Sequence, residues 1–123
     1  MTVPELYESI GGSYDSAKRV LQMDKLIGRF VVKYLDDASC RNLMAAAAAG
    51  DEAGIFEGAH AMKGVCANLG LDSLSQAASA IAEEFRPGSA RTMDRAELDA
   101  RLAGLKAMYD RTIEGIRAFA AEQ

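Results

Sequence analysis

Tryptophan is absent from the 123 residues, and histidine occurs once, at His60. A single imidazole excludes the histidine-rich zinc and paired-metal arrangements within one chain. Two cysteines, Cys40 and Cys66, stand far from a CxxC spacing, which excludes a disulfide framework and fits reduced thiols in a cytosol. There are only two prolines, Pro4 and Pro87, and clusters of β-branched residues are rare, so little interrupts helix or favours sheet. No apolar run approaches the roughly 18–20 residues of a membrane span. The opening MTVPELYESI has neither the basic start nor the apolar stretch of a secretory signal, so a cytoplasmic chain, complete at both ends, is expected. Acidic residues outnumber basic ones by 18 to 14, giving a net charge of −4, which argues against a nucleic-acid face or a polybasic membrane patch. No G-x-x-x-x-G-K-[ST] loop and no kinase-like nucleotide signature is visible, so the chain is expected not to phosphorylate itself.

What is present has the size of one domain and the composition of a helical one, 50% apolar and 26% charged. Thr2 with Glu5 three residues on has capping-box spacing, and Gly11-Gly12 ends that first short helix. Ser13 or Asp15 starts a second, which fades near Gln22. Asp24 is expected to cap a helix whose stripe is Leu26, Ile27, Phe30, Val31, Tyr34 and Leu35. A bend at Asp36-Asp37 with a cap at Ser39 leads into a helix through Leu43 and the alanines 45–49, which reads as a closely packed helix wall. Asp51 opens a helix that ends at Gly70, and Asp72 the next, through Leu74, Ala77, Ala78 and Ile81 to Phe85. Residues 86–91 form a loop. Asp94 with Glu97 opens the last helix, whose seam is Leu98, Leu102, Leu105, Tyr109, Ile113, Ile116 and Ala120. Short loops between long helices predict an all-α, up-and-down four-helix bundle over about 24–121, with one or two short helices over 2–22, the whole 1–123 forming one domain. One bundle uses up the apolar seams, so a monomer is expected.

The segment 51–70 is the informative one. At about 100° per residue, Ile55, Ala59, Met62, Cys66 and Leu69 share the core side, with Gly58 and Val65 beside them. His60 falls opposite, and Lys63 and Gly64, three and four residues on, lie next to it, with Ala67 further along the same face. A neutral imidazole is a good nucleophile near pH 7. A phosphoryl group placed on it would meet the Lys63 charge one turn away. Gly64 gives up helix stability of roughly 0.5–1 kcal/mol relative to alanine, on a face where no core packing explains it. Clearance for a partner or a phosphate does.

Residues 59–70, A-H-A-M-K-G-V-C-A-N-L-G, resemble the signature His-x-Leu-Lys-Gly-x-x-x-x-x-Gly of histidine phosphotransfer (HPt) domains. His60, Lys63, Gly64 and Gly70 match in place, and Met62 stands where leucine is usual. The order of elements over about 13–120 agrees as well: an aromatic helix holding Phe30, an alanine-rich helix ending in Gly50-Asp51, and a leucine-spaced helix after Gly70. The resemblance implies a phosphocarrier in a two-component phosphorelay, not an enzyme. His60 would be phosphorylated on its outer nitrogen, Lys63 would help bind the phosphoryl group, and Gly64 would leave room for an incoming domain. Its partners would be response-regulator receiver domains or a hybrid sensor histidine kinase. It would bind no cofactor, Mg²⁺ being expected on the receiver. Two departures stand out: Val65 and Cys66 occupy places where a small hydroxyl residue is common, and a glutamate common on the following helix falls at Ala82, with Glu83 beside it.

Plainer readings exist for the same residues. Phe56, one turn before His60, either packs on the N-terminal helices or anchors a docking patch with Glu57 and Ala67. Glu57-x-x-His60 is half of a di-metal motif whose other half is missing. Adjacent Glu83 and Glu84 splay apart and form no dyad. Cys66 reads as a buried, inert thiol. The alternative function is an interaction module of HPt shape that docks a partner without phosphoryl chemistry; simple docking does not require the His60–Lys63–Gly64 set.

Overall fold

The computed structural model describes residues 1–123 and contains seven α-helices and no strand. They are α1 (Val3–Ile10), α2 (Tyr14–Leu21), α3 (Asp24–Lys33), α4 (Ser39–Ala49), α5 (Glu52–Asn68), α6 (Asp72–Glu84) and α7 (Arg95–Ala121), with a 3₁₀ turn at Tyr34–Asp36. Consecutive long helices pack on one another: α4 on α5, α5 on α6 and α6 on α7. α7 closes the bundle against α3 and α4, while α1 lies on α7 and α2 reaches α3 and α5. The expected helical bundle with two short N-terminal helices is what the chain forms. No helix is long and apolar enough to cross a membrane.

The helix starts follow local chemistry, with three corrections. Thr2 and Glu5 form the capping box, Asp51 accepts from the Gly54 amide at 3.0 Å, and Asp94 accepts from the Glu97 amide at 2.8 Å. Asp24, Ser39 and Asp72 were expected as caps, but each is the first residue of its helix, preceded by Met23, Ala38 and Leu71. Their side chains have other partners. Asp24 accepts from Tyr14 and Lys18, Asp72 accepts from Ser16, and Ser39 donates to Asp37. A partner from another helix outcompetes the chain's own amides at Asp24 and Asp72, while at Ser39 the competitor is local, Asp37 two residues earlier, which also accepts from the Ser39 amide.

The core is one cluster of 28 residues. Leu6, Ile27, Leu43, Met62, Ile81, Leu105 and Ile116 are fully enclosed in it. The α3 stripe departs from expectation at Phe30, which is 41% exposed, at the edge of the face that Ile27 and Val31 bury. On α7, Tyr109 and Ala120 are half-buried, and Thr112 and Phe119 are buried in their stead. The 3.6-residue period drifts across a helix of 27 residues, so the seam moves over by a residue near its end.

Gly70 shows why one glycine of the signature is there. Its φ is +71°, and an added Cβ would run into the carbonyl of Ser13 and within 2.9 Å of the Ala17 amide. The Ser13 amide donates to the Gly70 carbonyl at 2.8 Å, and the Tyr7 hydroxyl donates to the Leu69 carbonyl at 2.6 Å. The end of α5 is thereby fastened to α1 and α2. This glycine positions the helix and leaves the chemistry to others.

Candidate functional site

α5 buries Ile55, Gly58, Ala59, Met62 and Cys66, the face read from the sequence, and leaves His60 exposed on the other side. Gly58 lets α5 approach α4: a Cβ there would stand 2.9 Å from the Leu43 backbone. Midway along, the Ser75 hydroxyl of α6 donates to the Lys63 carbonyl at 3.0 Å and fixes α5 on its other flank. The helix bearing the imidazole is therefore held from both sides and from its C-terminal end.

Around His60 the residues take distinct places. Lys63 is half-buried and Gly64 exposed, and a Cβ on Gly64 would meet nothing within 4 Å. The space beside the imidazole is open, which is what a close-approaching partner needs. Phe56 is half-buried, with its ring stacked on the imidazole at 5.4 Å between centroids and 18° between planes. Neither plain reading of Phe56 described this. It packs toward the end of α6, sharing a cleft with Phe85, Pro87 and Arg91. Glu57 is exposed between that cleft and a second one along α4, lined by Ala45, Ala49 and Ala61. Ala67 is exposed two turns beyond His60. Phe56 and Glu57 thus line one cleft, and Ala67 is not among its lining residues.

The apolar surface near the site lies elsewhere. An open groove of about 520 Å³ is lined by Val20 and Leu21 from α2, by Phe30 from α3 and Tyr34 from the turn after it, and by Val65, Asn68 and Leu69 at the end of α5. Val20 is 51% exposed and Phe30 41%, so large apolar side chains face water there. Steps of four residues carry the exposed face of α5 from His60 through Gly64 to Asn68, into this groove. Sequence reading placed Phe30 in the core and passed over Val20. The usable signal was Val20 itself, an apolar side chain directly after the cations Lys18 and Arg19 on a short helix.

The electrostatics set the site's neighbours apart from the core. Glu83 lies on the His60 side of α6. Its hydrogen bond to Arg86 and then the charges of Arg86, Lys63 and His60 hold its carboxyl below the ordinary range. Glu84, next in sequence, turns the opposite way and accepts from Thr92 and Met93, as expected of adjacent carboxylates that splay apart. Cys66 cannot stand in for an outward hydroxyl: its thiol faces Tyr34 at 3.3 Å inside the core, where burial pushes it up to about 12. No three His, Cys, Asp or Glu side chains converge anywhere as a metal ligand set would.

The arrangement can thus present a nucleophilic nitrogen to a partner, with an ammonium group one turn away and unobstructed space beside it. A family model described as the Hpt domain matches residues 17–115. Neither a curated protein nor a solved structure gives a significant match.

Proposed function

The chain belongs to the Hpt domain family, and on that premise we propose that it is a histidine phosphocarrier of a phosphorelay, with His60 as the phosphoacceptor. The observation that carries the reading is the exposed imidazole of His60 beside Lys63 and the vacant space at Gly64. A receiver domain bearing phospho-aspartate docks over α5. The lone pair of the outer imidazole nitrogen attacks phosphorus in line, the N–P bond forms, and the aspartyl O–P bond breaks with its electrons returning to the carboxylate. The transition state is loose and needs positioning and charge compensation more than covalent assistance. The Phe56 stack limits rotation of the ring, and Lys63 offers a flexible cation to the phosphoryl oxygens. Magnesium belongs to the receiver, and transfer to a second receiver is the same step reversed.

The groove between the end of α5 and helices α2 and α3 is the docking surface in this reading. It gives a partner an apolar footing beside Gly64, with the Lys33 cation on one rim and Asp36 and Asp37 on another. In keeping with the family, the chain carries phosphate between partners instead of acting as a kinase. Incubation with a phosphorylated receiver tests the proposal. Acid-labile label should pass to the wild-type chain and not to His60→Gln, and equal labelling of both would refute it.

A further inference from the structure

The α5–α6 edge beside His60 holds a second cation and a carboxylate. Arg86 donates to Glu83 through Nη2 at 2.5 Å and through Nε at 3.3 Å. Its guanidinium also lies 5.9 Å from the centre of the Phe56 ring, and that ring is the one stacked on His60. Glu83 in turn feels the charges of Lys63 and His60. Two cations, an imidazole, an aromatic ring and one carboxylate therefore share a small surface. The carboxylate among them, Glu83, is engaged with the arginine.

The geometry points to an exchange of anions: Glu83 occupies Arg86 while His60 is free, and a phosphoryl group on His60 draws Arg86 away from it to serve beside Lys63. This inference rests on His60 being the phosphoacceptor. The Glu83–Arg86 pair is about half exposed, with side chains 55% and 47% accessible, and ion pairs in that setting are weak. A phosphoryl group brings close to two negative charges and three acceptor oxygens. Arginine's planar fork fits such an oxygen pair better than lysine's point charge does. Arg86 lies two residues beyond Glu84, the last residue of α6, so its side chain can swing without disturbing a helix. Glu83, once released, is hydrated where it stands.

The exchange has a consequence for how long the phosphate stays. In hydrolysis, a water oxygen bonds to phosphorus, the N–P bond breaks, its electron pair returns to the imidazole, and inorganic phosphate leaves. Without a receiver to position a nucleophile, water must reach phosphorus from open solvent past the phosphoryl oxygens. A guanidinium paired with those oxygens holds the group in place and covers part of that approach. Arg86 thus prolongs the phosphohistidine, and Glu83 shortens its life by competing for Arg86.

Phosphoramidate supplies a partner-free test on the full chain: its P–N bond breaks, the bond from phosphorus to the imidazole forms, and ammonia leaves. Loss of the phosphoryl group at neutral pH is then followed by ³¹P NMR. Arg86→Gln should lose phosphate roughly two- to fivefold faster than wild type, and Glu83→Gln should lose it more slowly by a similar factor. The double variant should follow Arg86→Gln, because Glu83 acts through the arginine. A pair that merely fastens the end of α6 would shift melting in each variant and leave the lifetimes alone. Equal lifetimes on a phosphorylated His60, or faster loss from Glu83→Gln, would overturn the exchange and spare the phosphoacceptor reading. Phosphate that labels His60→Gln as well as wild type would overturn both.

Discussion

The phenyl ring of Phe56 lies against the imidazole of His60 one helical turn later, with centroids 5.4 Å apart and planes inclined by 18°. Stacked aromatic pairs contribute about 0.5–1.5 kcal/mol beyond the area they bury. Here the stack narrows the rotations open to the one imidazole. Phe56→Ala should slow transfer from a phosphorylated receiver by roughly fivefold, the kinetic equivalent of about 1 kcal/mol of lost positioning. Phe56→Tyr, which keeps the ring, should restore the rate. Single-turnover labelling of the three proteins measures it, and an unchanged rate in Phe56→Ala would remove the stack from the account.

Gly64 and Gly58 lie six residues apart on one helix and should respond oppositely to added bulk. A Cβ on Gly64 enters open space, whereas one on Gly58 comes within 2.9 Å of the Leu43 backbone. Gly64→Ala should raise stability by about 0.5–1 kcal/mol through helix propensity alone. Gly64→Gln should fold as well yet cut labelling by a receiver more than tenfold, because its side chain stands in the approach path. Gly58→Ala should lose about 1–3 kcal/mol, since backbone cannot yield as a side chain can. Urea titration and receiver labelling together separate these outcomes.

The groove gives a test of docking apart from chemistry. Phe30 is 41% exposed and lines it with Val20 and Val65. Phe30→Ala should weaken receiver binding by about 1 kcal/mol or more, roughly fivefold or greater in Kd. Its thermal midpoint should barely move, because the side chain already faces water. Calorimetric titration with the receiver reads the first, and a melting scan the second.

Glu84 ties the loop after α6 to the start of α7. Its carboxylate accepts from the Thr92 and Met93 amides at 2.8 Å each and from the Thr92 hydroxyl at 2.8 Å. The Met93 amide first, then the Thr92 groups and the charge of Arg91, hold its pKa below the ordinary 4.5. A carboxyl lowered by folding contributes stability above its unfolded value, and that contribution fades as pH falls through the folded value. Glu84→Gln should therefore melt below wild type at pH 7, and the gap should close as pH drops below about 4. Thermal scans of both proteins between pH 7 and pH 3 check this.

How much was legible in the sequence depended on whether a feature was local. The caps at Thr2, Asp51 and Asp94, the buried face of α5 and the outward trio of His60, Lys63 and Gly64 all follow from spacing along one helix, and the structure places them as read. Asp24, Asp72 and Phe30 were misread because their partners come from elsewhere in the fold: Tyr14 and Lys18 claim one carboxylate, Ser16 the other, and the Phe30 ring lies at the edge of a groove made by three elements. The Arg86–Glu83–Phe56 cluster joins two helices and a turn, so no periodicity within one segment could show it.

The central claim is that one exposed imidazole carries the phosphate. Mass spectrometry of the chain after exposure to a phosphorylated receiver, with digestion kept at neutral pH, tests it most directly. The account predicts a single phosphoryl group, on His60, in the peptide from α5. Phosphate on any other side chain, or none under conditions where the receiver has discharged, would contradict it.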